Sequence, residues 1–373
     1  MCLILTGCGK KDEKTVLKEF QNKVNGSNSY YLAGNMELVN NEDVYTYKIA
    51  VSYEKDDHYK IELVNAVNDH KQVILRNDEG VYIVTPSLNK SFKFQSDWPY
   101  NNSQVYLLSS LLDDISNDEE RVFESTSEGY IFTSKVNYPN NEKLVSQKVY
   151  FGKDYLPTKV TVLDTEGNVQ IKMVFDKIDL KTEFNDTYFD LNSILDTQNI
   201  KEREDNNKIE NNNQNSNNNS NNNSNNNSND DKNNTDDSKK NEAQEPGDQN
   251  QDGKKTESTA TIDDVIFPMY LPVNTYLTKQ EKVATEDGER MILTFTGDKS
   301  FVLVEETAVY SNNPEIIPTY GDVELIGNSL AVINDNSANW FSNGIEYYIV
   351  SDVMSTAELL QVVKSISVLP VSK

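Results

Sequence analysis

Between Asn199 and Ala260 apolar side chains nearly vanish, and from Asn211 to Asn229 the chain is asparagine almost throughout, with serine interspersed. Ordering such a stretch costs conformational entropy that no buried apolar surface offsets, so it belongs to no core. The chain must therefore divide. Two folded regions are predicted, over residues 9–198 and 262–373, joined by a disordered linker over residues 199–261. As a flexible coil of about 60 residues, the linker has an end-to-end distance of roughly 40 to 45 Å, enough to let the second domain search around the first. An asparagine-rich tract can also act as an aggregation module, but the Asp, Lys and Pro246 around it favour a spacer.

The formal charge of −25 is spread over both folded regions and the linker, and no basic face emerges to neutralise a phosphate backbone. Nucleic acid is excluded as a partner. The same charge is repelled by anionic headgroups and wall polymers, so a surface location requires an anchor rather than adsorption. Both cysteines, Cys2 and Cys8, lie in the first eight residues, which rules out a disulfide or a cysteine metal site in either folded region. No apolar run after Cys8 approaches the roughly 18 residues of a spanning helix, so membrane attachment is expected at the N-terminus.

There, Leu5, Thr6, Gly7 and Cys8 match the lipobox of bacterial lipoproteins, with Gly9, Lys10 and Lys11 as the polar exit. Small residues before the cysteine let a lipidating enzyme and a signal peptidase approach the backbone. Residues 1–8 are then the remnant of a signal peptide ending in lipidated Cys8, whose acyl chains bury methylenes at about 0.8 kcal/mol each. A signal peptide has a basic start and a longer apolar stretch than Met1 to Gly7 provides, so the true start is expected upstream. The expected location is the extracytoplasmic face of the cell membrane, with the bilayer as the first partner.

From Asp12 the pattern turns helical, with Val16, Leu17, Phe20 and Val24 on one stripe and Gly26 as a stop. Period-two alternation follows in Tyr45, Tyr47, Ile49 and Val51 and in Tyr59, Ile61 and Leu63. Further strands are predicted at Gln72 to Arg76, Gly80 to Thr85, Ser91 to Phe94, Tyr130 to Val136, Leu144 to Phe151, Thr158 to Asp164 and Gln170 to Lys177. Asp78 to Gly80 and Thr165 to Asn168 read as hairpin turns. A second amphipathic helix is predicted over Ser103 to Ile115, so a long antiparallel sheet carries two helices on one face. After the linker, strands at Arg290 to Thr296, Phe301 to Thr307, Asp322 to Ile326, Ser329 to Asn334 and Ile345 to Val350 precede a helix opened by the capping-box pair Ser355 and Glu358.

The order of helix then long strands, the run Tyr59 to Leu75 followed by Asn77 to Pro86, the segment Leu156-Pro157-Thr158-Lys159-Val160 leading to Phe175, and the closing Tyr188-Phe189-Asp190-Leu191 carry a resemblance. The region from Lys10 to Asp196 resembles the LolA-like superfamily, which includes periplasmic lipoprotein carriers, RseB regulators of envelope stress, and Gram-positive lipoproteins of sporulation and germination. The resemblance implies an α+β fold: an open antiparallel half-barrel with covering helices, whose concave side takes acyl chains or peptide segments. Tyr30, Tyr31, Phe92, Phe94 and Trp98 are the candidate lining, or else simply core. Ala338-Asn339-Trp340, Gly344 to Tyr347 and the helix from Ser355 to Ile366 resemble a small α+β module at the C-termini of Gram-positive membrane proteins, some of them anti-sigma regulators. The chain is rich in Asn, Lys, Ile and Tyr, as AT-rich Gram-positive genomes encode, and such cells have no outer membrane to receive carried lipoproteins. Shuttling is therefore not expected.

No catalytic group stands out. His58 and His70 are twelve positions apart in polar stretches and read as solvent-exposed, so no metal is assigned, and no cofactor motif is present. The pairs Asp113 and Asp114, Glu119 and Glu120, and Glu305 and Glu306 read as solvated faces. The expected function is a non-catalytic binding or regulatory lipoprotein of sporulation, germination or the envelope, with an envelope protein or an acyl ligand as partner. The alternative is an RseB-like sensor of lipid or peptide that acts on an anti-sigma or other membrane regulator. Metabolic labelling with palmitate should mark the protein expressed with its upstream start, and Cys8→Ala should abolish the label; equal labelling of both would remove Cys8 as the attachment site.

Overall fold

Asp12 opens the first helix by accepting a hydrogen bond on its side chain from the Thr15 N–H at 2.8 Å, and α1 then runs over Glu13–Asn25. Its stripe of Val16, Phe20 and Val24 is buried against a sheet, with the Phe20 ring edge-on to Phe151 at 4.9 Å. The computed structural model describes residues 11–40, 43–94, 96–195 and 261–366. Cys8 and almost all of the tract read as a linker lie outside the described residues.

The sheet beneath α1 begins with β1 (Ser29–Asn40), β2 (Asp43–Glu54), β3 (His58–Asn65), β4 (Lys71–Asn77), β5 (Gly80–Thr85) and β6 (Lys90–Phe94), an antiparallel meander. A second meander, β7 (Val122–Ser125), β8 (Tyr130–Lys135), β9 (Leu144–Phe151), β10 (Pro157–Asp164) and β11 (Val169–Asp179), joins it where β11 pairs with β1. At that junction the register shifts between Ala33 and Gly34, and a Cβ on Gly34 would lie 2.1 Å from the Val174 carbonyl oxygen. Only glycine fits this bulge.

One face of the sheet carries Leu32, Met36, Ile49, Val51, Ile61 and their neighbours in one core with α1 and α2 (Leu108–Asn117). The opposite face of β4 and β5 buries Val73, Leu75, Tyr82 and Val84 under Phe189, Leu191, Ile194 and Leu195. The closing segment that carried the resemblance thus seals the second face. The second helix starts at Leu108, later than its periodicity predicts, because Ser103 is pinned to β8's exit: its N–H donates to the Asn137 carbonyl and its hydroxyl accepts from the Asn137 N–H, both at 2.8 Å.

The C-terminal region builds a seven-stranded sheet from β12 (Thr275–Ala284), β13 (Glu289–Gly297), β14 (Phe301–Thr307), β16 (Asp322–Ile326), β17 (Ser329–Ile333), β18 (Ser337–Ser342) and β19 (Ile345–Val350), in the order β12-β13-β14-β19-β18-β17-β16. Helix α3 (Thr356–Ser365), opened by the Ser355–Glu358 capping box, packs Leu359, Leu360, Val362 and Val363 onto it. The remaining strand, β15 (Glu315–Pro318), leaves this sheet and pairs in parallel with β6, becoming the twelfth strand of the first sheet.

The described residues before and after the asparagine-rich tract fall in one compact unit. Val323, Leu330, Val332 and Phe341 enter the same core as α1 and α2, and Phe341 stacks on Phe92 at 5.2 Å. Buried Gln72 supplies the polar complement: its Oε1 accepts from the Leu330 N–H at 2.7 Å and the Ser329 hydroxyl at 3.0 Å. Tyr47 donates its hydroxyl to the Gly327 carbonyl. Gln72→Leu leaves the buried Leu330 N–H without its acceptor and should cost about 1–3 kcal/mol in urea unfolding. Fluorescence from Trp98 in the first region and Trp340 in the second should report a single transition; two separated transitions would show that the regions fold independently.

Candidate functional site

Strand alternation separates the five candidate lining residues. Tyr30 and Tyr31 are consecutive in β1 and point to opposite faces: Tyr30 is buried in the main core, whereas Tyr31 is half-buried on the other side beneath the Lys177 ammonium, 5.5 Å from its ring centroid. Phe92 and Phe94 are buried in the main core, Phe92 already covered by Phe341. Trp98 is wholly buried, edge-on to Tyr59 at 6.0 Å, with its carbonyl accepting from Arg76. Of the five, Tyr30 alone lines one of the prominent clefts.

That cleft, about 310 Å³, lies between the end of α1 and the tips of β1 to β3 and is walled by Tyr30, Tyr53, Tyr59, Tyr100, Lys55 and Ser109. The rings form a ladder, Tyr30 to Tyr53 at 4.8 Å and Tyr53 to Tyr59 at 4.9 Å. Tyr100 and Ser109 also wall a larger cleft of about 650 Å³ that runs along α2 past Asp113, Asp114, Glu120 and Lys135. The two share Tyr100 and Ser109, the smaller walled by tyrosine faces and the larger, a trough along α2, by carboxylates. Tyr100, 53% exposed, stands at the join, held by a hydrogen bond from its hydroxyl to Asp57 and by the Arg76 guanidinium 5.5 Å from its ring centroid.

Glu119 and Glu120 are exposed, as expected of a solvated face, and so is Asp113, but one member of each of the other two pairs, Asp114 and Glu305, departs from that expectation. Burial pushes the Asp114 carboxyl up to about 6, although hydrogen bonds from Ser103 at 3.0 Å and Gln147 at 2.9 Å pull the other way. Glu305 is fully buried, because β14 alternates and places it in phase with the core residues Phe301 and Leu303. Its neighbour Glu306 faces outward and pairs with Arg290 at 2.7 Å. Burial raises the Glu305 carboxyl to about 7 while both its oxygens accept the Ile266 N–H, at 3.1 and 3.2 Å. The histidines differ from expectation too: both are half-buried, His58 stacked on Phe189 at 5.7 Å and His70 with its imidazole pKa pushed down by burial. Among the described residues no group of three or more His, Cys, Asp or Glu is placed to hold a metal ion.

Between pH 4.5 and about 7 the folded chain keeps a proton on Glu305 that the unfolded chain has released. Folding is therefore most stable below pH 4.5 in this respect, loses up to roughly 3 kcal/mol as the pH rises to about 7, and is level beyond. Asp114 acts with the same sign in the window from 3.8 to about 6. Urea midpoints measured across this range should show a shallower decline in Glu305→Gln than in the parent, and parallel curves would remove Glu305 as the source.

No family model matches the chain. Sporulation protein YdcC of Bacillus subtilis (strain 168) is 30% identical over 364 residues, covering 97% of this chain and 93% of that protein. The Pseudomonas aeruginosa MucA/MucB complex aligns over 93% of this chain and 97% of that chain, at 11% identity and a TM-score of 0.30. A chain of the complex of the CwlD amidase from Clostridioides difficile with the GerS lipoprotein aligns over 48% of this chain and 99% of its own, at 18% identity and a TM-score of 0.28. LolA superfamily protein NE2245 from Nitrosomonas europaea does so over 48% and 98%, at 8% identity and a TM-score of 0.29. The superfamily name raised by the strand pattern recurs in this last structure, but TM-scores near 0.3 support no argument about sites or partners. Identity sustained along nearly the whole length does carry weight, and by it the chain belongs to the family of the B. subtilis sporulation protein YdcC.

Proposed function

We propose that this chain is a lipoprotein held through Cys8 at the extracytoplasmic face of the membrane, where it binds an envelope protein during sporulation or germination without catalysing a reaction. The observation that carries the binding mode is the filled concave face. An acyl-chain site needs a sheltered apolar space, and here α1, α2 and the strands carrying Leu330, Val332 and Phe341 occupy the apolar side of the sheet. The accessible relief is the trough beside α2, whose exposed Tyr100 and row of carboxylates suit a protein segment with an apolar or basic side chain. The sporulation setting rests on the family. No helix among the described residues is long and apolar enough to cross a membrane, so the proposed anchor is the lipid on Cys8.

The sensor reading, in which lipid or an unfolded peptide is captured for a membrane regulator, requires an apolar cavity of several hundred Å³. The prominent clefts are instead open and walled largely by Tyr, Ser, Asn, Asp and Glu, which favours the protein-binding reading. Affinity capture from sporulating membranes, run beside native mass spectrometry of the chain, separates the two. A specific envelope protein should be recovered, and Tyr100→Ala should weaken its binding about tenfold or more, as expected of an aromatic anchor. Stoichiometric co-purified lipid, with no protein lost in the variant, would transfer the assignment to the sensor.

A further inference from the structure

Strand β12 is the terminal strand of the seven-stranded sheet. Among the described residues nothing pairs with it beyond β13, and after Thr275 every residue of its ten is exposed or half-exposed. Both faces of the strand meet solvent, leaving Tyr276 64%, Leu277 39% and Val283 42% exposed. Long edges of this kind template pairing with another chain, and proteins that stay single blunt them with charge, proline or a covering segment. In the first sheet β6 is covered in that way, by pairing with the four-residue β15, which ends in Pro318.

The charges on β12 do not blunt it against every partner. Lys279 and Glu281 lie on one face, 2.8 Å apart, with side chains 62% and 43% exposed. They are opposite Thr294 and Ile292 of β13, while Gln280 and Lys282 are opposite the buried Leu293 and Met291. The first pair therefore occupies the outer face and the second the face turned toward the core. A two-fold axis normal to the sheet keeps each side chain on its face, so an antiparallel pairing of β12 with itself must be centred on a residue. Centring on Lys279, Glu281 or Lys282 sets like charges directly opposite each other. Centring on Gln280 sets Lys279 opposite the partner's Glu281, and Glu281 opposite the partner's Lys279. Toward the strand ends, the register shift between Leu277 and Lys279 returns the exposed Tyr276 to the outer face, where the partner's Val283 also lies.

We propose that β12 is the docking edge for a second copy of this chain, paired antiparallel about Gln280 into one continuous sheet across a closed two-fold dimer. Such an interface is isologous, so each ion pair and each apolar pair occurs twice and the β12 edge is consumed by the pairing, which closes at two copies. It lies on the C-terminal sheet, away from the α2 trough, and does not depend on the partner proposed there.

Sedimentation velocity of the full chain over a wide concentration range should show a reversible monomer–dimer equilibrium. K279E, which faces acid with acid across the two-fold axis, should raise the dimer dissociation constant about tenfold or more. The double variant K279E/E281K restores opposite charges in the same register and should return the dissociation constant to within about threefold of the parent. Equal urea midpoints for the three chains show that folding is intact, and if K279E alone lowers the midpoint, the comparison of double variant with parent decides. A parent that stays monomeric throughout, a K279E dimer as tight as the parent, or assembly that continues past the dimer would each overturn the proposal.

Discussion

An antiparallel sheet that curls without closing leaves an apolar concave face and an unpaired edge, and the stability of this fold depends on covering both. The cover comes from far along the chain: Asn89, beside β6, donates to the Ser311 carbonyl across 222 positions, and Gln72 is bonded to Leu330 across 258. A buried glutamine reading one backbone N–H and one side-chain hydroxyl of a distant strand fixes orientation as well as energy, since rotation of that strand would strand its amide oxygen among apolar side chains. Phe92 against Phe341 supplies the apolar part of the same junction.

Much of this architecture is visible in residue order. Strands with one buried face announce themselves by alternation, and Tyr59, Ile61 and Leu63 or Leu144 to Phe151 fall where their periodicity places them. The strands that escape notice have physical reasons to do so. Neither face of β12 is buried, so its Thr, Lys, Gln and Glu carry no period, and β15 is four residues paired with a strand more than 200 positions away. Contact between the two regions was hidden for the same reason: Gln72 and Ser329 are polar residues in apolar strands, and nothing local says that they are each other's partners.

The site was less legible than the fold. Aromatic character picked out Tyr30, Tyr31, Phe92, Phe94 and Trp98, but it does not distinguish a ring that fills a core from one that lines a cavity; all but Tyr31 are buried in the core, and Tyr30 also walls a cleft. Tyr100 follows Pro99 in an irregular segment and has no pattern to mark it, yet it is the ring left exposed at the head of the trough. Glu305 had a readable signal. In Phe301-Val-Leu-Val-Glu-Glu-Thr the alternation places the first glutamate inward and the second outward, a distinction lost once the two are treated as one acidic pair.

Joining β6 and β15 across the low-complexity tract also orders events in time. The first region is complete long before Phe341 exists, because about 250 residues separate Phe92 from its stacking partner, and at typical elongation rates that interval is roughly 12 to 50 s. Throughout it, the ring of Phe92, the edge of β6 and the amide of Gln72 face water or whatever binds them in the meantime. The nascent protein therefore passes through a stage in which its most adhesive surface is open, and it closes only when the last strands of the chain arrive.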